Sequence, residues 1–380
     1  MKTNYKALLC AFLMCTLTSN ANAEEEVHYI INENFNTLGV SERANISGWV
    51  LSNCWGAYNG DGTLTNKCLN IYDYATTKQF SKNGNAILVF YYRDSNKSKQ
   101  STISVTVNNG GLFENGTNSK NYTPGGAVFK VGKEKIYNVT ESTTITFKME
   151  KAECYACIDD LQVIAAENLT LSETAPNISQ TEKTADVTLG RTLQGGIWNT
   201  LCLPFDVDKA FTLPKALGEG QNIQLRTFSS YTGGTINFED KESVKAGTPF
   251  LIKIDNTVTN PTFPLVDVKN TSPQIVEYGG VSMVGTYGQT SISSDAIFLT
   301  SSGELMKPSG STTLKGLRAY FTTTDGSRLT INFGDATAVK NVQAPAATTS
   351  DWFTLDGRRL ASQPTKKGLY IRNGKKIIIK

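Results

Sequence analysis

The sequence predicts an all-β chain built from sandwich or jelly-roll domains, and three observations carry that expectation. Apolar residues alternate with period two in Ser101-Thr-Ile-Ser-Val-Thr-Val107, which places Ile103, Val105 and Val107 on one face, and again in Thr143-Thr-Ile-Thr-Phe-Lys-Met149. The runs end at turn residues, such as Asn108-Asn-Gly-Gly111 and Arg93-Asp-Ser-Asn-Lys-Ser98. Extended stretches with a 3.6-residue apolar period are missing, so short strands and turns must build the cores.

The elements follow in chain order. Lys2 and Lys6, the apolar run Ala7–Leu17 and the small-residue site ending at Ala23 have the order of a secretory signal peptide, so residues 1–23 are expected to be removed on export. Met14 before Cys15 argues against a lipoprotein anchor. No later apolar run reaches membrane-spanning length, and a transmembrane segment is not expected. Two polar, weakly patterned stretches, 167–183 and 336–350, read as linkers. They divide the chain into an N-terminal domain (24–166), a middle domain (184–335) and a tail (351–380). In the tail, Asn373-Gly374 between Gly368–Arg372 and Lys375–Lys380 is a strong signal for a two-residue hairpin.

Composition excludes several function classes. A formal net charge of +3 over 380 residues, with no basic stripe interleaved with aromatics, speaks against nucleic acid as a partner. His28 is the sole histidine and sits near the expected mature N-terminus, a poor place for a catalytic triad. Neither a histidine cluster for zinc nor a phosphate-cradling glycine loop is present. Asp159-Asp160 and Glu239-Asp240 are adjacent carboxylates, and on a strand such neighbours point to opposite faces. The chain therefore reads as non-catalytic, with a hydrolase whose acids come from distant strands as the weaker alternative.

Beyond the leader lie five cysteines: Cys54, Cys68, Cys154, Cys157 and Cys202. An odd number leaves at least one unpaired. The Cys154/Cys157 spacing lacks a following helix that would activate a thiol, and Cys54–Cys68 is the candidate local disulfide.

The aromatic residues suggest binding. Trp49, Trp55, Tyr58, Tyr72 and Tyr74 are interleaved with Asn53, Asn59, Asp61 and Asn70. Sugar rings offer apolar C–H faces to aromatic planes and hydroxyls to amides and carboxylates. Trp55, Tyr58, Asp61, Tyr72 and Tyr74 are thus candidates for a glycan platform. Large aromatics also fill cores, and that reading stays open for Trp55, Tyr58 and Tyr74.

Asn34-Phe35-Asn36 with Gly48-Trp49, and Cys157-Ile-Asp-Asp-Leu-Gln-Val163, resemble the opening and closing strands of galactose-binding-like jelly rolls, the scaffold of many carbohydrate-binding modules. The resemblance implies an N-terminal jelly-roll β-sandwich with Trp49 in its core, and an extracellular glycan or protein ligand. It also implies a structural Ca²⁺ at Asp160 and at the position of Asn36, where relatives carry an acid. The middle domain resembles a β-rich module of secreted Bacteroidota proteins through Gly196–Phe205, Lys245–Lys253, Val284–Tyr287 and Lys315–Phe321, which implies a second β-sandwich. The tail, with Leu355-Asp-Gly-Arg-Arg359, Gly368-Leu-Tyr-Ile371 and 373–380, resembles the C-terminal sorting domain of the type IX secretion system, though it lacks that domain's first strands. The resemblance implies that secretion machinery reads the tail and that the protein ends at the outer cell surface. A hairpin that merely caps the chain is the other reading.

Overall fold

In the computed structural model, the described residues are 27–58, 66–176, 182–300, 305–324, 330–333, 339–341, 352–354, 358–360, 362–372 and 375–379. The expected signal peptide, Asp61, the Leu355–Gly357 turn and Asn373-Gly374 lie outside them. The chain divides into two compact units, Met1–Ala165 and Ala166–Lys380. The fold is all-β, with one short helix, Thr212–Leu217, among the described residues.

The first unit is a jelly-roll β-sandwich with ten strands among the described residues: β1 (Tyr29–Glu33), β2 (Val50–Tyr58), β3 (Lys67–Thr76), β4 (Gly84–Asp94), β5 (Ser101–Asn108), β6 (Leu112–Phe113), β7 (Ser119–Tyr122), β8 (Lys130–Val139), β9 (Thr144–Ala152) and β10 (Ala156–Ala165). The hydrogen-bonded order is β6-β8-β4-β10-β3-β9-β5-β7, with β1 on β10 and β2 on β3. β3 is shared between the layers. Its first half, Leu69–Ile71, pairs with β10, while Tyr74–Thr76 pairs with β9.

Period-two alternation drives one side chain in two inward. Leu69 and Ile71, Leu88 and Phe90, Ile103 and Val105, and Ile145 and Phe147 all meet in a single core. Phe90 sits edge-on to Tyr122 and to Phe147, with ring centroids 5.1 Å from each. Its cross-strand neighbour is Gly132, where any side chain would run into the Phe90 ring. Trp49 packs half-buried against this core, edge-on to the fully buried Phe35 at 6.0 Å.

β10 departs from strict alternation. Its register with β4 shifts between Asp159 and Gln162, and Asp160 takes a positive φ of 43°. The bulge inserts one extra residue, so that Ile158 and Leu161 both reach the core. For this reason Asp159 and Asp160 do not follow the simple opposite-face rule expected from the sequence.

The second unit contains several smaller sheets around two apolar clusters. Leu201, Leu203, Phe205, Phe250 and Phe263 belong to one; Trp198, Phe228, Phe238, Phe321 and Phe333 belong to the other. The Trp198–Phe205 run is buried throughout, as its apolar content predicts. Two segments expected as linkers are partly strand. Glu167–Ser172 pairs in parallel with Lys183–Gly190, and Val339–Asn341 pairs with Thr330–Asn332. Glu167–Ser172 reads as a linker because it is polar, yet it lies at the end of its three-stranded sheet, where Leu171 alone is buried.

In the tail, Gly368–Arg372 and Lys375–Ile379 pair with Arg372 opposite Lys375, the register of the expected two-residue hairpin. Trp352–Phe353 and Arg359–Leu360 extend it to a four-stranded sheet, and the Arg372 guanidinium lies 5.1 Å from the centroid of the buried Trp352 ring.

Candidate functional site

The expected aromatic platform divides. Trp55 stands opposite Asn70, on the face of β2 turned away from the core residue Cys54. Its indole Nε1 donates to Asn53 Oδ1 at 3.1 Å, and the Arg43 guanidinium sits over the ring at 5.5 Å. Trp55 is therefore half-covered by its own chain. Tyr58, exposed at the end of β2, has the opposite parity to Trp55 and does not share its face. Tyr74 is half-buried between Ser52 on β2 and Lys148 on β9.

Tyr72 is the platform residue that finds an aromatic partner. It is 42% exposed, and its ring lies 4.4 Å from that of Tyr155, tilted by 34°. Burial, and then the neighbouring Tyr155, push the Tyr72 phenol above its ordinary pKa, so it remains a neutral hydroxyl at physiological pH. Tyr155 was not singled out in the sequence. Its signal was present, as an aromatic within the Cys154–Cys157 spacing, but its pairing with Tyr72 depends on the β3–β10 register.

Around this pair the outer face of the sheet carries a polar row. Trp55, Asn70, Cys157 and Arg93 stand opposite one another across β2, β3, β10 and β4. One step along, Asp159 faces Tyr91. The middle of this face is closed, since Asn70, Cys157 and Asp159 are buried. Its rim is open at Tyr72 and half-open at Tyr91, Arg93 and Tyr155. The Arg93 guanidinium lies 5.0 Å from the Phe129 ring and donates from one terminal nitrogen to the Asp94 carbonyl at 3.1 Å. Its Nε is buried without a hydrogen-bond partner. Aromatic planes beside amide, carboxylate and guanidinium groups suit a hydroxyl-rich ligand with apolar C–H faces.

Asp94 anchors the end of this face. Its buried carboxylate accepts from Ser101 N at 2.8 Å, Ser101 Oγ at 2.5 Å and Gly126 N at 2.8 Å. Ser95 N donates to the Tyr155 carbonyl at 3.0 Å, which ties the segment carrying Tyr155 to the same knot.

The Cys54–Cys68 disulfide is corrected by the structure. Both are free thiols. Cys54 stands opposite Ile71 in the core, whereas Cys68 stands opposite Ala57 on the other face, so the sheet itself separates the sulfurs. Burial pushes the Cys54 thiol up to about 12, and it donates to the Tyr74 carbonyl at 3.2 Å. The sulfur neighbouring Cys68 is that of Cys157. Their hydrogen bond, then burial, raise the Cys157 thiol well above its ordinary pKa, and Cys157 Sγ also contacts Asn70 Oδ1 at 2.8 Å.

At the calcium candidates, Asn36 Oδ1 accepts from Lys67 N at 2.9 Å, and Asp160 N donates to Asp159 Oδ1 at 2.8 Å. Among the described residues no group of three or more His, Cys, Asp or Glu side chains is placed to hold a metal ion. The adjacent acids Glu239 and Asp240 are ion-paired, with Lys241 and with Arg226 respectively. No helix among the described residues is long and apolar enough to cross a membrane.

Compared with protein-family profiles and with characterised proteins, the sequence matches none. Among solved structures, it is similar to the N-terminal CBM22-1–GH10 modules of Clostridium thermocellum endo-1,4-β-D-xylanase 10B, crystallised with xylohexaose. That likeness has 10% identity and a TM-score of 0.26, and covers 38% of this chain and 33% of that one. The chain thus spans about a third of that xylanase fragment. The K3 adhesin domain of Porphyromonas gingivalis Lys-gingipain aligns at 13% identity and a TM-score of 0.26, over 37% of this chain and 99% of that one. The tandem CBM22-1–CBM22-2 domain of Paenibacillus barcinonensis Xyn10C aligns at 12% identity and a TM-score of 0.28, over 68% and 95%. Likenesses this distant carry neither ligand nor activity to this chain.

Proposed function

We propose that the protein is an exported, non-catalytic binding protein whose N-terminal sandwich takes carbohydrate on the outer face of β3, β10 and β4. The supporting observation is the Tyr72–Tyr155 pair, an aromatic surface beside the polar row of Asn70, Cys157 and Arg93 on the same face, with Asp159 and Tyr91 further along it. In this reading the tyrosines meet the apolar face of a sugar ring. Arg93 donates to its hydroxyls, and buried Asn70 and Asp159 hold the strands that present them.

The test is calorimetric titration of the full chain with a panel of soluble neutral polysaccharides, repeated with Tyr72→Ala and Tyr155→Ala. At least one polysaccharide is expected to bind, and each substitution to weaken it about tenfold, the worth of one aromatic contact. Binding unchanged by both substitutions would put the ligand elsewhere. Absence of binding to every polysaccharide would leave an adhesive protein–protein surface as the better reading. Export is tested separately by sequencing the mature N-terminus, expected at Glu24. Deleting 351–380 should block surface display if the tail is read by secretion machinery.

A further inference from the structure

In the second unit, a cavity of about 250 Å³ lies among residues that the carbohydrate reading does not use. Its lining includes Glu173, Arg191, Trp198, Thr200, Lys315 and Arg318. Arg191 is 3% exposed. One of its terminal nitrogens donates to the carbonyls of Thr200 at 3.0 Å and Leu317 at 2.6 Å, which fixes the guanidinium. Its Nε is buried and has no partner. A buried guanidinium with an unsatisfied donor is costly unless something answers it.

The charges around the cavity do not balance. Among the described residues Glu173 is the one acid in the lining, against Arg191, Lys315 and Arg318. Its carboxylate is already spent on Lys315 Nζ at 2.8 Å and Arg318 at 2.5 Å. Gly316 N donates to the Glu173 carbonyl at 2.8 Å and holds that residue in place. Burial first, and then the like charge of Arg318, pull the Arg191 guanidinium down to about 9, with Glu173 acting the other way. Arg191 therefore stays charged at neutral pH, facing a cavity with surplus positive charge and hydroxyl and amide groups in its wall.

We propose that this cavity binds a small hydroxylated organic anion of the sugar-acid class. Its carboxylate would answer the Arg191, Lys315 and Arg318 cluster, and its hydroxyls the Thr200 hydroxyl and neighbouring amides. At about 250 Å³ the cavity is larger than a bare inorganic oxyanion fills. The site is independent of the Tyr72–Tyr155 face, and the two readings fail separately.

The experiment titrates the full chain with sodium glucuronate, glucose and inorganic phosphate, and repeats the glucuronate titration with Lys315→Gln, Glu173→Gln and Tyr72→Ala. Glucuronate is expected to bind, and glucose and phosphate each to bind more weakly than glucuronate. Lys315→Gln should weaken glucuronate about fivefold, and Glu173→Gln should tighten it by a similar factor, because the first removes an attracting charge and the second a competing one. Tyr72→Ala should leave it unchanged. The opposite signs at Lys315 and Glu173 separate a charge effect from loss of folding, which would weaken both. Glucuronate failing to bind, phosphate binding as tightly, or the two charge variants shifting affinity in the same direction would overturn the proposal.

Discussion

Asp94 in the first unit and Asp206 and Glu173 in the second are held by different chemistry. In the first, Asp94 is surrounded by neutral donors, two backbone amides and a serine hydroxyl. In the second, Asp206 is met by Lys245 at 2.9 Å and Lys269 at 2.8 Å, and Glu173 by Lys315 and Arg318. A carboxylate held by neutral donors fixes backbone and leaves the surface free for uncharged ligands. One held by cations builds local fields that respond to pH and salt. The contrast aligns with the two candidate sites: an aromatic, largely neutral face on one unit and a cationic cavity in the other.

The sharpest test of that contrast is Asp94→Ala. It strands the buried Ser101 amide and hydroxyl and the half-buried Gly126 amide, and should destabilise the first unit by about 3 kcal/mol. Hydrogen exchange at the Ser101 and Gly126 amides reads this locally, which suits a chain whose two units need not unfold together. Unchanged protection would mean that the loops hold without the carboxylate. Next in size is Tyr72→Ala, expected to cost binding about 1.4 kcal/mol, the tenfold loss above, with thermal stability nearly unchanged.

In the second unit, burial pushes Asp206 upward, but hydrogen bonds from Lys269, Lys245 and Ala246 N outweigh it and lower the carboxyl to about 2. A depressed folded-state pKa contributes stability that is full above the ordinary carboxylate value and is lost as pH falls through the folded one. The second unit should thus lose stability between about pH 4 and pH 2, with Asp206 accounting for about 1 kcal/mol after allowance for solvent screening at this partly exposed site. Acid titration of Asp206→Asn should remove that portion; a variant as acid-sensitive as the parent would refute the assignment. The smallest effect is expected at Trp55→Ala. Arg43 and Asn53 already occupy the indole, so polysaccharide affinity should change less than about twofold, within the range of surface substitutions. A tenfold loss would return Trp55 to the platform.

Much of the fold was legible because alternation is a local signal. Ser101–Val107 and Thr143–Met149 became the strands Ser101–Asn108 and Thr144–Ala152. Phe35 and Trp49 met in the core, as the opening pattern implied. The site was less legible, because it depends on register between strands far apart in sequence. Tyr72 was recognised, but Tyr155 reaches it only through the β3–β10 pairing. The spacing of Cys54 and Cys68 suggested a bond, yet the pleat placed them on opposite faces. Arg191 gave no signal, since it follows Gly190 in a polar stretch and owes its burial to backbone carbonyls as distant as Leu317.

One carboxylate bears on how a ligand would be received. Asp94 clamps the start of β5 and the loop at Gly126, while the adjoining Ser95 grips the segment that bears Tyr155. Three lengths of chain are thus stilled before any visitor arrives. A guest settling on the tyrosines would find its seat already set, and little of its grip would be spent on quieting the host.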